Sequence, residues 1–176
     1  MRLKGRIYQI LQFKRTKGQI FPFSLRYPCR CNRNVGISVN DDIRLAIIVS
    51  PDLPLGLIAN TVGAVAIGLG ARIPALGADE LADRQARRFD ISANRPVPVL
   101  QADGGTIRAI MLKALSAGED RAVVPFPAFA RSLHVFADYR EAVPGRDLAE
   151  EAIDGLGLAG PSKWIRSLSG SLKLLR

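Results

Sequence analysis

The apolar and polar positions after residue 40 alternate between short apolar runs and longer stretches with helical periodicity. The clearest run is Arg44–Ser50 (RLAIIVS), which is ended by Pro51. It predicts a buried strand of the parallel type, because a strand that is covered on both faces loses its apolar–polar alternation. Three further runs predict strands, at Val97–Leu100, Arg121–Phe126 and Glu151–Leu158.

A helix is predicted from Leu55 to about Ala71, and its composition is unusual. Its residues are nearly all either small, mainly glycine and alanine, or large and apolar. A helix without a polar face is expected to be largely buried. Each glycine lowers helix stability by up to about 1 kcal/mol relative to alanine, and close approach of the helix backbone to the sheet is the expected compensation.

Further helical segments alternate with the remaining strands. Asp103 is placed to cap a helix whose apolar residues recur at positions 107, 110, 111, 114 and 115, and Gly118 is placed to end it. A helical segment around Phe136 is broken at Pro144-Gly145. Pro161 opens a last helix through about Leu168, which Gly170 ends before an extended tail.

This order of elements predicts a single α/β domain over residues 41–176. We expect a three-layer α/β/α sandwich around a mixed sheet of about four strands. Residues 72–95 are charged and rich in turn-forming residues, and they give no assignment.

Charge is distributed very unevenly along the chain. Residues 1–40 hold nine of the 25 Lys and Arg residues and none of the 16 Asp and Glu residues, so the net charge of +9 comes from this segment alone. Three interpretations stay open: a basic, disordered arm that binds nucleic acid or anionic lipid, an organellar transit peptide, or upstream sequence included by an early start codon.

The composition also bears on location and on metal binding. Cys29 and Cys31 are separated by one residue, and the chain has a single histidine, which is poor spacing for a disulfide or a zinc site. The apolar stretch from Leu53 to Ala71 is marginal in length and interrupted by polar residues and glycines, so no membrane-spanning segment is predicted. We expect a cytoplasmic protein without a metal or cofactor.

Two segments together resemble a known family. They are D-L-P-L-G-L-I-A-N, from Asp52 to Asn60, and the C-terminal G-L-G-L-A-G-P-S-K-W-I-R-S-L-S-G-S-L-K-L-L-R, from Gly155 to Arg176. The pair resembles the bacterial family catalogued as domain of unknown function 2000, over about residues 42–176. The resemblance implies a fold similar to type II peptidyl-tRNA hydrolase.

This chain lacks the catalytic residues of those hydrolases. The position of their lysine falls on Leu57, that of their glutamine on Thr61 and that of their histidine on Ala64. Their D-A-G-x-T-Q segment is replaced by residues 148–152, L-A-E-E-A. Leucine and alanine cannot transfer protons or hold a tRNA backbone. The resemblance therefore implies the fold without the hydrolase activity.

Ligands of open α/β sheets bind beyond the carboxyl ends of the strands, which directs attention to two turns. In the first, Asp52 is a candidate hydrogen-bond acceptor or general base, or a cap of the following helix. Gly56 allows close approach of a ligand or of packing partners. Asn60 is expected as a buried amide that either ties down a loop or points into a pocket. In the second turn, Lys163 opposes the helix dipole, which indicates an ion pair with Asp52, anion binding or a solvated side chain.

The other chemically active residues give weaker signals. His134 is expected as an isolated, non-ligating histidine, and Trp164 as a core or interface residue. The group Asp147, Glu150, Glu151 and Asp154 is interpreted as a solvated acidic face.

Three function classes remain. The leading one is a module that binds a small molecule or a protein at the turn around Asp52, Gly56, Asn60 and Lys163. A hydrolase or transferase that uses Asp52 and Lys163, by fold analogy, is the second. Nucleic-acid binding through residues 1–40 is the third. Convergence of Asp52 and Lys163 on one concavity is the structural test of the shared site.

Overall fold

In the computed structural model, which describes residues 42–118 and 121–176, the α/β fold is organised around a five-stranded sheet. The strands, in chain order, are β1 (Ile43–Val49), β2 (Glu80–Ala82), β3 (Arg88–Asp90), β4 (Val99–Gln101), β5 (Ala122–Pro127), β6 (Ile153–Pro161) and β7 (Lys173–Leu174). The helices are α1 (Leu55–Arg72), α2 (Gly104–Leu115), α3 (Phe136–Ala142) and α4 (Ser162–Ser169). The predictions made for residues 1–40 lie outside the described residues.

The sheet is mixed, as predicted. Its strand order is β5-β6-β1-β4-β7, in which β1 is parallel to β4 and antiparallel to β6. Each of the four predicted strands coincides with an observed one. The fifth is β7, because the tail pairs with β4 through Leu100–Leu174 and Gln101–Lys173. The unassigned segment contains a separate hairpin of β2 and β3, and every residue of these two strands is exposed.

Alternate residues of β1 belong to two hydrophobic clusters. Leu45, Ile47 and Val49 pack in one cluster with Val65 and Leu69 of α1. Ala46 and Ile48 pack in the other with residues of α2 and α4, namely Ile107, Met111, Ala114, Ile165 and Leu168. Because successive strand side chains point to opposite faces, α1 packs on one face of β1, and α2 and α4 pack on the other.

The sequence-predicted N-cap of α2 is confirmed. The Asp103 carboxylate accepts a hydrogen bond from the Thr106 N–H at 2.9 Å and a second one from the Thr106 hydroxyl at 2.6 Å. These bonds stabilise the charged carboxylate and lower the pKa of Asp103. The helix ends at Leu115, before the expected Gly118, and Ser116 is its C-cap.

The expected burial of α1 is wrong. Its buried residues are Thr61, Val65 and Leu69, spaced four apart on one face, whereas Leu55 and Ile67 are 81% and 75% exposed. This one narrow face packs closely on the sheet, because β6 carries glycines, Gly155 and Gly157, opposite α1. A Cβ atom at Gly157 would lie closer than 3.0 Å to Val65 Cγ1. Within the described residues, α1 is the one helix with the length and composition to cross a membrane, a test that helices packed in soluble proteins also pass.

Candidate functional site

The turn between β1 and α1 presents its polar side chains to solvent. Asp52 is exposed, and its backbone N–H lies 3.4 Å from the Ser50 hydroxyl oxygen. Its carboxylate does not cap α1, since the N-cap position is Pro54 and no side chain caps the helix. Asp52 therefore remains a candidate for ligand contact, and its interpretation as a helix cap is wrong.

Gly56 and Asn60 lie on the exposed part of α1. A Cβ atom added at Gly56 would meet no atom within 4 Å, so packing does not require glycine there. Asn60 is exposed, and the expectation of a buried amide is wrong because this side of α1 faces solvent. Ligand binding by these two residues stays a prediction.

Lys163 is far from Asp52. The antiparallel register pairs Ile43 with Pro161 at one end of β1 and Val49 with Gly155 at the other. Lys163 follows the first of these pairs and Asp52 follows the second. Six residues of strand, roughly 20 Å, therefore separate the two turns. The expected convergence of Asp52 and Lys163 is wrong, because the carboxyl end of the antiparallel β6 lies at the opposite end of the sheet from that of β1.

A buried carboxylate, Asp154, lies beside the β1–α1 turn instead. Its carbonyl accepts a hydrogen bond from the Ser50 N–H at 3.1 Å. The register of β6 with β5 skips this residue, since Phe126 pairs with Gly155 and Pro127 pairs with Ile153. Such a bulge re-aims side chains and is common near functional sites. Asp154 is only 6% exposed, so its assignment to a solvated acidic face is wrong.

The bulge interrupts the alternation of faces along β6. Ile153 and Leu156 both pack in the cluster with α2 and α4, and the irregularity lies between them. Gly155, in contrast, lies against Thr61 of α1. The bulge thus places a buried carboxylate next to a residue of β6 that packs against α1.

Arg131 is the charged partner of Asp154. Its Nε lies 2.8 Å from Asp154 Oδ2, and its side chain is 40% exposed. This contact is an ion pair without an aligned hydrogen bond, because the single Nε–H donates to the Ala128 carbonyl at 3.1 Å and leaves Oδ2 without a donor. Burial raises the pKa of the Asp154 carboxyl, and the charge of Arg131 lowers it by less.

An apolar groove of about 610 Å³ lies between α1, β5 and α3. Pro127, which faces the bulge, and Ala130, which precedes Arg131 in the chain, are among its lining residues. The other lining residues are Ala64, Val65, Ile67, Gly68, Val124, Pro125, Phe126, Leu133, His134, Val135, Phe136 and Tyr139. We call this the α1–β5 groove.

Aromatic rings form the α3 side of this region. The Tyr139 ring stacks on Phe129 with 5.7 Å between centroids, and on Phe136 with 6.3 Å. Burial raises the pKa of the Tyr139 hydroxyl. Phe136, at the outer end of the stack, is 71% exposed, and Val135 beside it is 56% exposed. Exposed apolar residues around an apolar depression are typical of a binding surface.

Sequence reasoning missed both Arg131 and the groove. Arg131 gave no signal, because it lies in a short 3-10 segment (Ala128–Ser132) that carries no motif. The alternation of glycine and leucine from Gly155 to Leu158 was the available clue, since it indicates a strand with one flattened face. His134 is exposed and lines the groove, and residues 42–118 and 121–176 contain no group of three or more His, Cys, Asp or Glu that could hold a metal.

Comparison with known proteins gives two matches. A family model described as "Protein of unknown function (DUF2000)" matches residues 43–176. The solved structure of the protein of unknown function Atu0240 from Agrobacterium tumefaciens strain C58 is similar in fold, with a TM-score of 0.69 at 17% identity, over 76% of this chain and 97% of that chain. The comparison with curated proteins finds no match.

Proposed function

We propose that this chain, which belongs to the DUF2000 family, is a binding protein whose α1–β5 groove takes an apolar small molecule. The observation that carries the proposal is the groove itself, a depression of about 610 Å³ with almost wholly apolar lining. Small-molecule sites commonly have volumes of about 300–1,000 Å³ and combine apolar walls with a few polar groups. His134 and Tyr139 are the polar side chains in the lining.

The proposal keeps the expected site at the β1–α1 turn as a separate candidate for ligand contact. The Ser50 N–H at the start of the turn donates a hydrogen bond to the Asp154 carbonyl, and the Asp154 carboxylate is paired with Arg131. Asp52, Gly56 and Asn60, in and after this turn, remain candidates for ligand contact. Lys163 is not included, because it belongs to the other end of the sheet.

The proposal extends to the architecture. A three-layer α/β/α sandwich similar to type II peptidyl-tRNA hydrolase is supported by the packing of α1 and of α2 with α4 on opposite faces of β1. It is also supported by the resemblance of residues 52–60 and 155–176 to a family for which that fold is expected. Their chemistry is not proposed: Leu57 and Ala64 carry no group that transfers a proton, and Thr61 is buried against Gly155.

The test is binding of N-phenyl-1-naphthylamine, a neutral dye whose fluorescence rises in apolar sites. We expect saturable binding to the full chain, lost in Ala64→Phe because the new ring fills the groove. Ala59→Phe is the matched control, since Ala59 is an exposed residue of α1 outside the groove lining. Circular dichroism verifies that both variants fold. Equal dye binding by the two variants would refute the groove as the site.

A further inference from the structure

A second cavity, of about 430 Å³, lies beside the first residues of β1. We call it the β1–β4 slot, because it is bounded by β1 and by the segment that leads into β4. No described residue lines both this slot and the α1–β5 groove. The lining residues of the slot are Ile43, Arg44, Leu45, Asn94, Arg95, Pro96 and Pro98.

The slot exists because β1 and β4 pair over only part of the length of β1. Their register begins at Ile47 and Val99. Within the described residues, the backbone bonds between the two segments begin with the Ile47 N–H, which donates to the Pro98 carbonyl at 3.0 Å. Pro98 itself has no N–H to donate to the preceding part of β1. Residues 43–45 therefore pair with β6 on one side and line the slot on the other.

The main-chain groups of Leu45 face this slot. Along a strand, the N–H and C=O groups of alternate residues point to the same side. The Ile43 carbonyl accepts a hydrogen bond from Arg95 Nη1 at 2.8 Å, and the Ile47 N–H donates to Pro98, so both point toward residues 94–98. Leu45 lies midway between them and has the same orientation. Its N–H and its carbonyl make no hydrogen bond to residues 94–98, so they form an unpaired strand edge.

Arg95 places a fixed cation at the same edge. Its Nη1 donates to the Ile43 carbonyl and its Nε to Asn94 Oδ1 at 2.9 Å, and both acceptor residues line the slot. The guanidinium therefore lies in the wall of the slot. A guanidinium has five N–H donors, and Nη2 donates to no residue within 42–118 or 121–176. The unused donors of Arg95 are available to an acceptor in the slot.

Arg44 adds a second positive charge to the lining. Its side chain is exposed and makes no ion pair with the described part of the chain. None of the described lining residues is acidic. A guanidinium binds carboxylates well, because its planar array of donors matches the two carboxylate oxygens. The slot therefore favours an anion that lies next to a free main-chain donor and acceptor.

A small apolar pocket of about 130 Å³ adjoins the slot, since Leu45 and Arg95 line both cavities. Its other walls include Ala66 and Leu69 of α1, and Leu76 and Val97. A small aliphatic side chain fits such a pocket. The two cavities together offer sites for an anion, for a main-chain amide and for a short apolar group.

We infer that the β1–β4 slot binds the free carboxyl terminus of a peptide. The N–H of the last peptide residue donates to the Leu45 carbonyl. The terminal carboxylate accepts from the Leu45 N–H and from Arg95, and Arg44 adds attraction for the charge. Addition of a peptide to a strand edge and capture of a terminal carboxylate are both recurring modes of peptide recognition. This inference is independent of the proposed function, because it concerns a different cavity.

The experiment compares two probes that differ only at the terminal group, N-acetyl-alanyl-valine and N-acetyl-alanyl-valinamide. Each is titrated into the full-length ¹⁵N-labelled protein, and binding is followed by the NMR shifts of the backbone amides. We expect a saturable shift of the Leu45 amide. The acid should bind roughly tenfold or more tightly than the amide, because charge-assisted hydrogen bonds are the stronger ones. Acetate and inorganic phosphate should bind more weakly than the acid, since they lack the peptide N–H.

Two arginine variants test the anchor. Arg95→Gln should remove the preference for the acid, and the amide spectrum verifies that this variant folds. Arg44→Gln breaks no ion pair among the described residues, and it should weaken binding of the acid severalfold while binding of the amide is unchanged. Arg140→Gln is the matched control, because Arg140 is an exposed arginine of α3 outside the slot lining.

Each contrary result overturns a stated part of the inference. Equal affinities of the acid and the amide would overturn the carboxylate anchor. Acetate or phosphate binding as tightly as the acid would show a simple anion site and overturn the peptide class. A preference for the acid that persists in both Arg95→Gln and Arg44→Gln, or the lack of a saturable shift at Leu45, would refute the slot as the site. Dye binding to the α1–β5 groove is unaffected by any of these results.

Discussion

Substitution of Gly157 by alanine tests the packing that forms the inner wall of the groove. Gly157 lies in the middle of β6, where it pairs with Ile47 on one side and Val124 on the other. An added Cβ would lie closer than 3.0 Å to Val65 Cγ1 and 3.1 Å from two atoms of Leu69. The strand is held on both sides, so α1 must move outward or Val65 must leave its rotamer.

The expected loss of stability in Gly157→Ala results from two opposing effects. Overpacking of a well-packed core typically destabilises a protein by about 1–3 kcal/mol, and the stiff χ1 of the β-branched Val65 limits relaxation. Replacement of glycine by alanine also restricts the unfolded chain, which stabilises the folded state by about 0.4–1 kcal/mol. The net loss is roughly 1–2 kcal/mol, which corresponds to a decrease in Tm of roughly 3–10 °C for a domain of this size.

Urea unfolding of the full-length protein, followed by circular dichroism, measures this loss. Gly63→Ala is the matched control, because Gly63 lies in α1 near Val65 in sequence but is exposed, and a Cβ there meets no atom within 4 Å. Gly63→Ala should stabilise the protein by about 0.5–1 kcal/mol, since it removes a glycine from a helix interior. The destabilisation by Gly157→Ala should also be partly relieved by Val65→Ala, with a coupling of about 1 kcal/mol.

Equal stability of the Gly157→Ala and Gly63→Ala proteins would refute the close packing of α1 on β6. Additivity of Gly157→Ala and Val65→Ala would refute Val65 as the residue responsible. Either result would also remove the structural basis for the inner wall of the α1–β5 groove.

Two further predictions concern single carboxylates. Asp103→Ala should lower the midpoint of urea unfolding through loss of the α2 cap. Asp103→Asn should retain most of the stability, because an Asn side chain can also accept the hydrogen bond from the Thr106 N–H, and equal losses would contradict the cap. The pKa of Asp154 is raised in the folded state, so Asp154 contributes favourably to the stability of the fold below its unfolded pKa near 3.8. This contribution is lost as pH rises through the folded pKa. Asp154→Asn should therefore be as stable as the wild type or more stable at pH 7, because Arg131 can be solvated. The variant should lose this advantage in stability as the pH falls toward 4. An advantage that grows on acidification would contradict the raised pKa.

The elements of the fold were largely predictable because their signals are local. β1 and α2 follow from an apolar run and from a 3.6-residue repeat with an Asp cap, which depend on nearest neighbours in the chain. The sequence of β7 predicts only an extended tail, since its two residues become a strand through pairing with the distant β4. The β2–β3 hairpin was missed for a related reason: its exposed strands have no apolar face to reveal them.

The candidate site was less predictable, because it depends on strand direction and on a local irregularity. Asp52 and Lys163 both follow strands, but the direction of β6 cannot be read from its sequence, and its antiparallel pairing separates them. Asp154 follows three acidic residues in the same stretch, and only the bulge distinguishes it as buried. The burial of α1 is less than expected because a helix with few polar residues and no polar face does not show which side is packed.

The two borders of the central sheet have a further consequence for association. β5, at one border, contains Pro125 and Pro127, which have no N–H group to donate to an incoming chain, and β7, at the other, is two residues long. Neither border is a good template for extending the sheet into a neighbouring molecule. Self-assembly by strand addition is thereby disfavoured, even though the protein displays apolar side chains on its surface.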